Sequence, residues 1–233
     1  MENNVVSAIL DSAYKSRTPF CCSLEITKRC NFNCIHCYLR DNHIIEMNYQ
    51  DVINVIDQIR DAGTLFLNLI GGEIMLHPQF CEIYSYAYEK GMIITLLTNA
   101  SMMNKDIREL LRKMPPRKIE ITVYGYTREI FKNVTKSSIN QNIIFRNIEI
   151  LKEDGHNILL KMIVMKENKI EFDKIKEYAK QRNIPFQYDF NILPTLKGDR
   201  NVIEHELSVD DVICLEIADG KKINGKYVLR IMI

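Results

Sequence analysis

The chain has 233 residues, of which 46% are hydrophobic and 26% are charged, values typical of a globular protein with a substantial core. Its 31 basic and 30 acidic residues nearly cancel, which argues against a general binder of nucleic acid or of an anionic membrane. No apolar run is long enough to cross a membrane and the first residues lack a signal-peptide pattern, so we expect a cytoplasmic protein.

Short apolar segments rich in β-formers alternate along the chain with amphipathic segments of helical period. The strands are predicted at residues 22–27, 65–70, 92–98, 118–124, 158–165 and 186–193. The helices are predicted at 49–62, 78–90, 105–113, 140–154 and 170–182. Gly63, Gly91 and Gly155 follow three of these helices, as helix-terminating glycines do. Six strand–helix units predict an α/β fold built on a parallel sheet.

The repeated units predict a single main domain. Residues 1–20 are interpreted as an N-terminal extension, residues 21–207 as the core, and residues 208–233 as a C-terminal helix (208–217) and a short strand (227–233). The sequence ends on an apolar run with no polar tail, which is unusual for a free terminus, so we expect a truncated C-terminal region.

Three of the seven cysteines fall within eight residues directly after the first strand: Cys30, Cys34 and Cys37. Clustered thiolates favour zinc, copper(I) or an iron–sulfur cluster. A structural zinc wants four ligands, and His36 would strain to join its neighbours, whereas three cysteines can hold a [4Fe-4S] cluster with one open iron. The cysteines outside the loop, Cys21, Cys22, Cys81 and Cys214, are predicted to be buried core thiols.

The C-x3-C-x2-C spacing ahead of Tyr38 resembles the signature of the radical S-adenosylmethionine (SAM) superfamily. Further motifs agree in order: Gly71-Gly72-Glu73 after the second strand, Thr98-Asn99-Ala100 after the third, and Thr122 to Gly125 after the fourth. Within the superfamily the chain is most similar to peptide- and protein-maturing enzymes of the SPASM type, although the C-terminal SPASM cysteines are missing. The resemblance implies a partial (β/α)6 TIM-type barrel.

The resemblance also implies the cofactors and their contacts. Cys30, Cys34 and Cys37 would hold a [4Fe-4S] cluster. SAM would be bound at the carboxyl ends of the strands by Tyr38, Gly71, Gly72, Glu73, Asn99 and Thr122, with Glu73 accepting from the methionine ammonium. Asp189, an acid in an apolar-aromatic strand, is predicted to face the site.

The function implied is reductive cleavage of SAM and hydrogen abstraction from a peptide or protein, with a flavodoxin or ferredoxin as electron donor. Two alternatives stay open: small-molecule or cofactor biosynthesis, and a truncated homologue that binds peptide or cluster without turnover. Lys136 stands where relatives often have glycine, and the cysteines of auxiliary clusters are not expected in this chain.

Overall fold

The computed structural model describes residues 2–39 and 46–220. The strands are β1 (Cys21–Thr27), β2 (Phe66–Gly71), β3 (Ile93–Thr98), β4 (Lys118–Thr122), β5 (Ile158–Ile163) and β6 (Phe186–Asp189). The helices are α1 (Glu2–Lys15), α2 (Tyr49–Asp61), α3 (Phe80–Glu89), α4 (Lys105–Lys113), α5 (Arg128–Thr135), α6 (Asn142–Glu153), α7 (Phe172–Gln181) and α8 (Val209–Ala218). Short 3-10 turns occupy Ile74–Leu76, Lys169–Glu171 and Asn201–His205.

The six strands form one parallel sheet in sequential order, from β1 at one edge to β6 at the other. Each neighbouring pair is parallel, and a helical connection returns the chain to the start of the next strand. Among the described strands β1 and β6 do not pair with each other, so the barrel is open. The structure therefore confirms the predicted α/β partial barrel, and the carboxyl ends of all six strands meet at one rim.

One face of the sheet is buried beneath the helices. Alternate strand residues on this face are fully covered and include Leu67, Leu69, Ile94, Leu96, Ile119, Ile121, Leu160 and Met162. The other face carries polar side chains: on β4 the carboxylate of Glu120 is bound by Lys118 at 2.5 Å and by Lys161 of β5 at 3.1 Å. The barrel interior thus contains charged side chains, unlike the packed apolar interior of a closed TIM barrel.

Local sequence explains where several helices begin and end. Asn48, Asn104 and Ser208 accept hydrogen bonds from backbone N–H groups in the first turns of α2, α4 and α8, as capping side chains do. Gly63, Gly91 and Gly155 adopt positive φ after α2, α3 and α6, which confirms their predicted role. Two helices, α1 and α5, are not predicted from the sequence. The predicted strand at 227–233 lies outside the described residues.

The prediction for the remaining cysteines is wrong in two cases. Cys21 and Cys214 are exposed, while Cys22 and Cys81 are half-buried. Cys21 alternates with Cys22 along β1, so its thiol lies on the open polar face of the sheet. Across the described parts of the chain, no helix has the length and apolar content needed to span a bilayer.

Candidate cofactor site

The cysteine loop follows β1 and is held from outside by α5. The backbone N–H groups of Asn33 and Ile35 donate to the carbonyls of Thr135 and Val134, at 2.8 and 3.0 Å. These carbonyls belong to the last turn of the helix, where they have no partner within the helix itself. A helix absent from the sequence prediction thus fixes the path of the loop that carries the cysteines.

The three thiols of the loop share one cavity, which Cys30, Cys34 and Cys37 line together. Burial is the main cause that raises the pKa of Cys30 to about 11, and it raises the pKa of Cys34 well above its usual value. Protonated thiols are the expected form here unless a cationic group is bound, because a buried thiolate needs a positive partner.

The donor set fits an iron–sulfur cluster better than a single ion. A zinc ion needs donors converging at about 2.0–2.3 Å, and in the described parts of the chain no group of three or more Cys, His, Asp or Glu side chains is placed to hold one ion. A cluster holds each cysteine at a separate iron, so its ligands lie farther apart. His36 therefore belongs to no such group in the described parts of the chain, and its ring packs on Tyr124 with centroids 5.2 Å apart.

The cavity has a volume of about 410 Å³, within the range of small-ligand sites. The cysteine loop forms one wall, and the carboxyl ends of β2 to β6 form the others. Its lining includes Tyr38, Gly71, Gly72, Asn99, Thr122, Tyr124, Lys161, Gln187, Asp189 and Ile192. Five of the six residues expected to contact SAM and all three expected metal ligands therefore surround a single cavity.

The two glycines lie where the end of β2 passes the chain leaving β1. The N–H of Gly72 donates to the carbonyl of Thr27 at 2.9 Å, and the N–H of Glu73 donates to that of Arg29 at 2.7 Å. A Cβ atom on Gly71 or Gly72 would lie 2.2 Å from the Thr27 oxygen or 2.3 Å from the Arg29 oxygen. Only glycine permits this approach. Gly71 and Gly72, which we call the floor of the cavity, therefore lie against the segment that enters the cysteine loop.

Glu73, the sixth expected contact, lies beneath the floor instead of in the lining. Its carboxylate is fully buried. It accepts from the hydroxyl of Thr98 at 2.7 and 2.8 Å, from the N–H of Asn99 at 2.7 Å and from the N–H of Met75 at 3.2 Å. Burial raises the pKa of Glu73 against these hydrogen bonds, which lower it. The acid therefore ties the ends of β2 and β3 together.

The other expected residues occupy separate walls. Thr122 ends β4, and Asn99 follows β3 with only 6% of its surface exposed. Tyr38 stands at the mouth, where its carbonyl accepts from the N–H of Leu196 at 3.0 Å. Burial and the nearby Glu25 raise the pKa of the Tyr38 hydroxyl. Asp189 is exposed at the rim and accepts from the N–H groups of Phe190 and Asn191.

Three further lining residues were not predicted to contact a cofactor. His36 was considered only as a zinc ligand, Tyr124 only as part of the Thr122 to Gly125 motif, and Lys161 was not considered. His36 and Tyr124 pack together against the cysteine loop, and the Tyr124 hydroxyl hydrogen-bonds the sulfur of Cys34. Lys161 enters the cavity from β5. The alternation that places Lys161 on the same face as Glu120 is the signal that could have indicated Lys161.

Comparison with known proteins places these features in a family. Over 180 residues the chain is 27% identical to the AdoMet-dependent heme synthase of Methanosarcina barkeri, covering 76% of this chain and 52% of that protein. Over 127 residues it is 29% identical to the subtilosin biosynthesis protein AlbA of Bacillus subtilis, covering 54% and 26%. The chain thus spans about half, or less, of these relatives.

The fold is also similar to that of SuiB from Streptococcus suis bound to S-adenosylmethionine. The TM-score is 0.74 at 15% identity, with 90% of this chain and 49% of that chain covered. The family model of the radical SAM superfamily matches residues 24–179, a segment that holds the cysteine loop and most of the strand ends around the cavity. The chain therefore belongs to the radical SAM superfamily.

Proposed function

We propose that this chain is the catalytic domain of a radical SAM enzyme that abstracts a hydrogen atom from a peptide or protein substrate. The observation that carries the proposal is the single cavity lined by Cys30, Cys34 and Cys37 together with Gly71 and Gly72. The cysteines are placed to hold three irons of a [4Fe-4S] cluster, and the adjoining space is left for a ligand of the fourth iron.

The remaining walls supply groups suited to SAM. The backbone at Gly71 and Gly72 can approach a ligand closely, and Thr122 presents a hydroxyl at the end of β4. Tyr38 closes the mouth on the side of the cysteine loop. Glu73 would provide the negative charge that favours the methionine ammonium, and its buried hydrogen bonds hold the Thr98–Asn99 backbone at the ligand.

A reduced cluster held by Cys30, Cys34 and Cys37 would supply one electron for cleavage of SAM into methionine and a 5'-deoxyadenosyl radical, which would take a hydrogen atom from the substrate. Protein residues protect this chemistry by excluding water. Phe32 and Leu39 are buried beside the cysteine loop, and Ile192 is buried on the β6 side of the cavity. A flavodoxin or a ferredoxin is the electron donor that we propose.

A peptide or protein substrate is favoured by the relatives. AlbA is named for biosynthesis of the bacteriocin subtilosin, and SuiB has been described bound to the precursor peptide SuiA. Small-molecule or cofactor synthesis is the second candidate, because the heme synthase match covers 76% of this chain. A homologue that binds cluster or peptide without turnover is the third.

Anaerobically reconstituted protein, reduced with dithionite and supplied with SAM, tests these proposals. A competent enzyme forms 5'-deoxyadenosine slowly alone and faster with its substrate, and a deuterated substrate passes its label to the product. Stimulation by a precursor peptide encoded beside the gene favours the first candidate, whereas stimulation by a porphyrin favours the second. Full cluster loading without any 5'-deoxyadenosine contradicts catalysis and favours the third.

A further inference from the structure

The side chain of Asn99 reaches the cysteine loop as well as lining the cavity. Its amide nitrogen lies 3.9 Å from the sulfur of Cys30 and 3.0 Å from the side-chain oxygen of Asn31. The backbone N–H of Phe32 also donates to the Cys30 sulfur, at 3.4 Å. The sulfur of Cys30 therefore has two N–H donors, one of which comes from a distant strand end.

The orientation of the Asn99 amide is fixed by its other end. The side-chain oxygen accepts from the backbone N–H of Ser101 at 2.8 Å and from the Ser101 hydroxyl at 2.5 Å. A backbone N–H can only donate, so the oxygen must face Ser101 and the NH₂ group must face Cys30. Asn31 donates to the Ser101 hydroxyl at 2.7 Å, which closes a ring of hydrogen bonds.

We propose that Asn99 is a positioning residue for the cluster ligand Cys30 and raises the reduction potential of the cluster. The inference rests on the proposed function. Reduction adds one negative charge that is shared with the ligand sulfurs, and N–H dipoles aimed at a sulfur stabilise that charge. The same residue gives its backbone N–H to Glu73, so one residue connects the floor of the SAM site to a cluster ligand.

The matched variants are Asn99→Leu and Asn147→Leu. Both asparagines are 6% exposed, and Asn147 donates to the carbonyl of Ala100 at 2.7 Å, so it supports the same loop without reaching a sulfur. The midpoint potential of the reconstituted protein is measured without SAM, by redox titration followed by EPR. Iron and sulfide content and thermal unfolding accompany each titration.

We expect Asn99→Leu to lower the potential, so that the reduced-to-oxidised ratio at the wild-type midpoint falls by about threefold or more, as for the loss of one ordinary hydrogen bond. Asn147→Leu should leave the potential unchanged. Asn99→Asp, which removes both N–H donors and adds negative charge, should lower it further. If Asn99→Leu does not retain iron, Asn99→Ser, whose hydroxyl is too short to reach the sulfur, gives the measurement.

An unchanged potential in fully loaded Asn99→Leu overturns the inference, as does an equal shift in Asn147→Leu. Weaker SAM binding with an unchanged potential would assign Asn99 to SAM alone. A wild-type protein that assembles no cluster would instead contradict the proposed function, so the two failures are distinguishable.

Discussion

The hydroxyl of Thr98 lies within hydrogen-bonding distance of both carboxylate oxygens of Glu73, at 2.7 and 2.8 Å, in a fully buried contact between the ends of β3 and β2. The backbone N–H groups of Met75 and Asn99 complete the set of donors. A carboxylate suits this position because every neighbouring group donates and the carboxylate only accepts.

Replacing Glu73 with glutamine should therefore weaken SAM binding. Glutamine keeps the shape of the side chain but loses the negative charge. Its NH₂ group must also face one of the N–H or O–H donors that surround the carboxylate. The ammonium of SAM would then lose the negative charge beneath the floor, and we expect SAM affinity to fall about tenfold, which corresponds to about 1.4 kcal/mol. Cluster content should survive. Equilibrium binding to the reconstituted protein checks this, and an affinity within about twofold of wild type would show that Glu73 has only a structural role.

Changing Cys30, Cys34 or Cys37 to alanine should abolish the visible iron–sulfur absorbance of the reconstituted protein, because each thiolate is expected to occupy one iron corner. Cys81→Ser is the matched control, since Cys81 is half-buried on α3 and away from the cavity. Iron and sulfide assays provide the measurement. Full iron content in the triple variant, or its loss in the control, would contradict the ligand assignment.

Gly72→Ala should destabilise the protein, because the new Cβ would lie 2.3 Å from the Arg29 carbonyl oxygen. Forcing a methyl group into a packed contact costs about 1–3 kcal/mol. Gly91→Ala is the control, because its Cβ would meet nothing within 4 Å. That variant would be destabilised only by the positive φ of +79° at this position. Chemical denaturation should show a greater loss for Gly72→Ala, together with weaker SAM binding. Equal losses would refute the steric argument.

Lys136→Gly should stabilise the protein by about 0.5–1 kcal/mol. Lys136 ends α5 in the left-handed conformation, with φ at 50°, and its side chain is exposed. Glycine adopts this conformation without strain. The variant also removes a hydrogen bond from the Lys136 ammonium to Asn133, at 3.1 Å on the surface, which contributes little to stability. Thermal unfolding measures the effect, and Lys132→Gly, within the same helix, should destabilise instead.

The ion pair between Arg108 of α4 and Asp154, which follows α6, should make the free energy of unfolding depend on pH. The hydrogen bond from Arg108 holds the pKa of Asp154 below its usual value. A depressed carboxyl pKa stabilises the folded state above the unfolded pKa, and this contribution is lost as pH falls through the folded pKa. The melting temperatures of wild type and Asp154→Asn should therefore differ at neutral pH and converge in acid below about pH 4. A difference independent of pH would exclude the ion pair as its cause. Glu109→Gln, in an exposed pair, should change little.

Much of the fold follows from periodicity. Each predicted strand overlaps an observed one, and the helix at 105–113 has the predicted bounds. Helix α5 escaped prediction because its cap is not local: the carboxylate of Glu171 accepts from the N–H groups of Tyr126 and Thr127, at 2.6 and 3.1 Å. Thr127 occupies the N-cap position, but its side chain makes no capping hydrogen bond.

The site could be predicted to a similar extent. The cysteines and glycines are indicated by spacing, because their chemistry depends on positions near in sequence. Lys161 reaches the cavity through its position along β5, which motif spacing does not reveal. The exposure of Cys21 was also not predicted. Cys21 begins an apolar strand, but its side chain lies on the open face of the sheet.

The unpaired edges of β1 and β6 bear on how the peptide substrate that we propose would reach the site. In a closed barrel, a polymer could enter the mouth only with one of its ends. Reaction at the rim would then be limited to chain ends and to side chains long enough to extend into the barrel. Because the first and last described strands do not meet, the peptide substrate that we propose would be able to enter from the side, with a residue in the middle of its length at the rim.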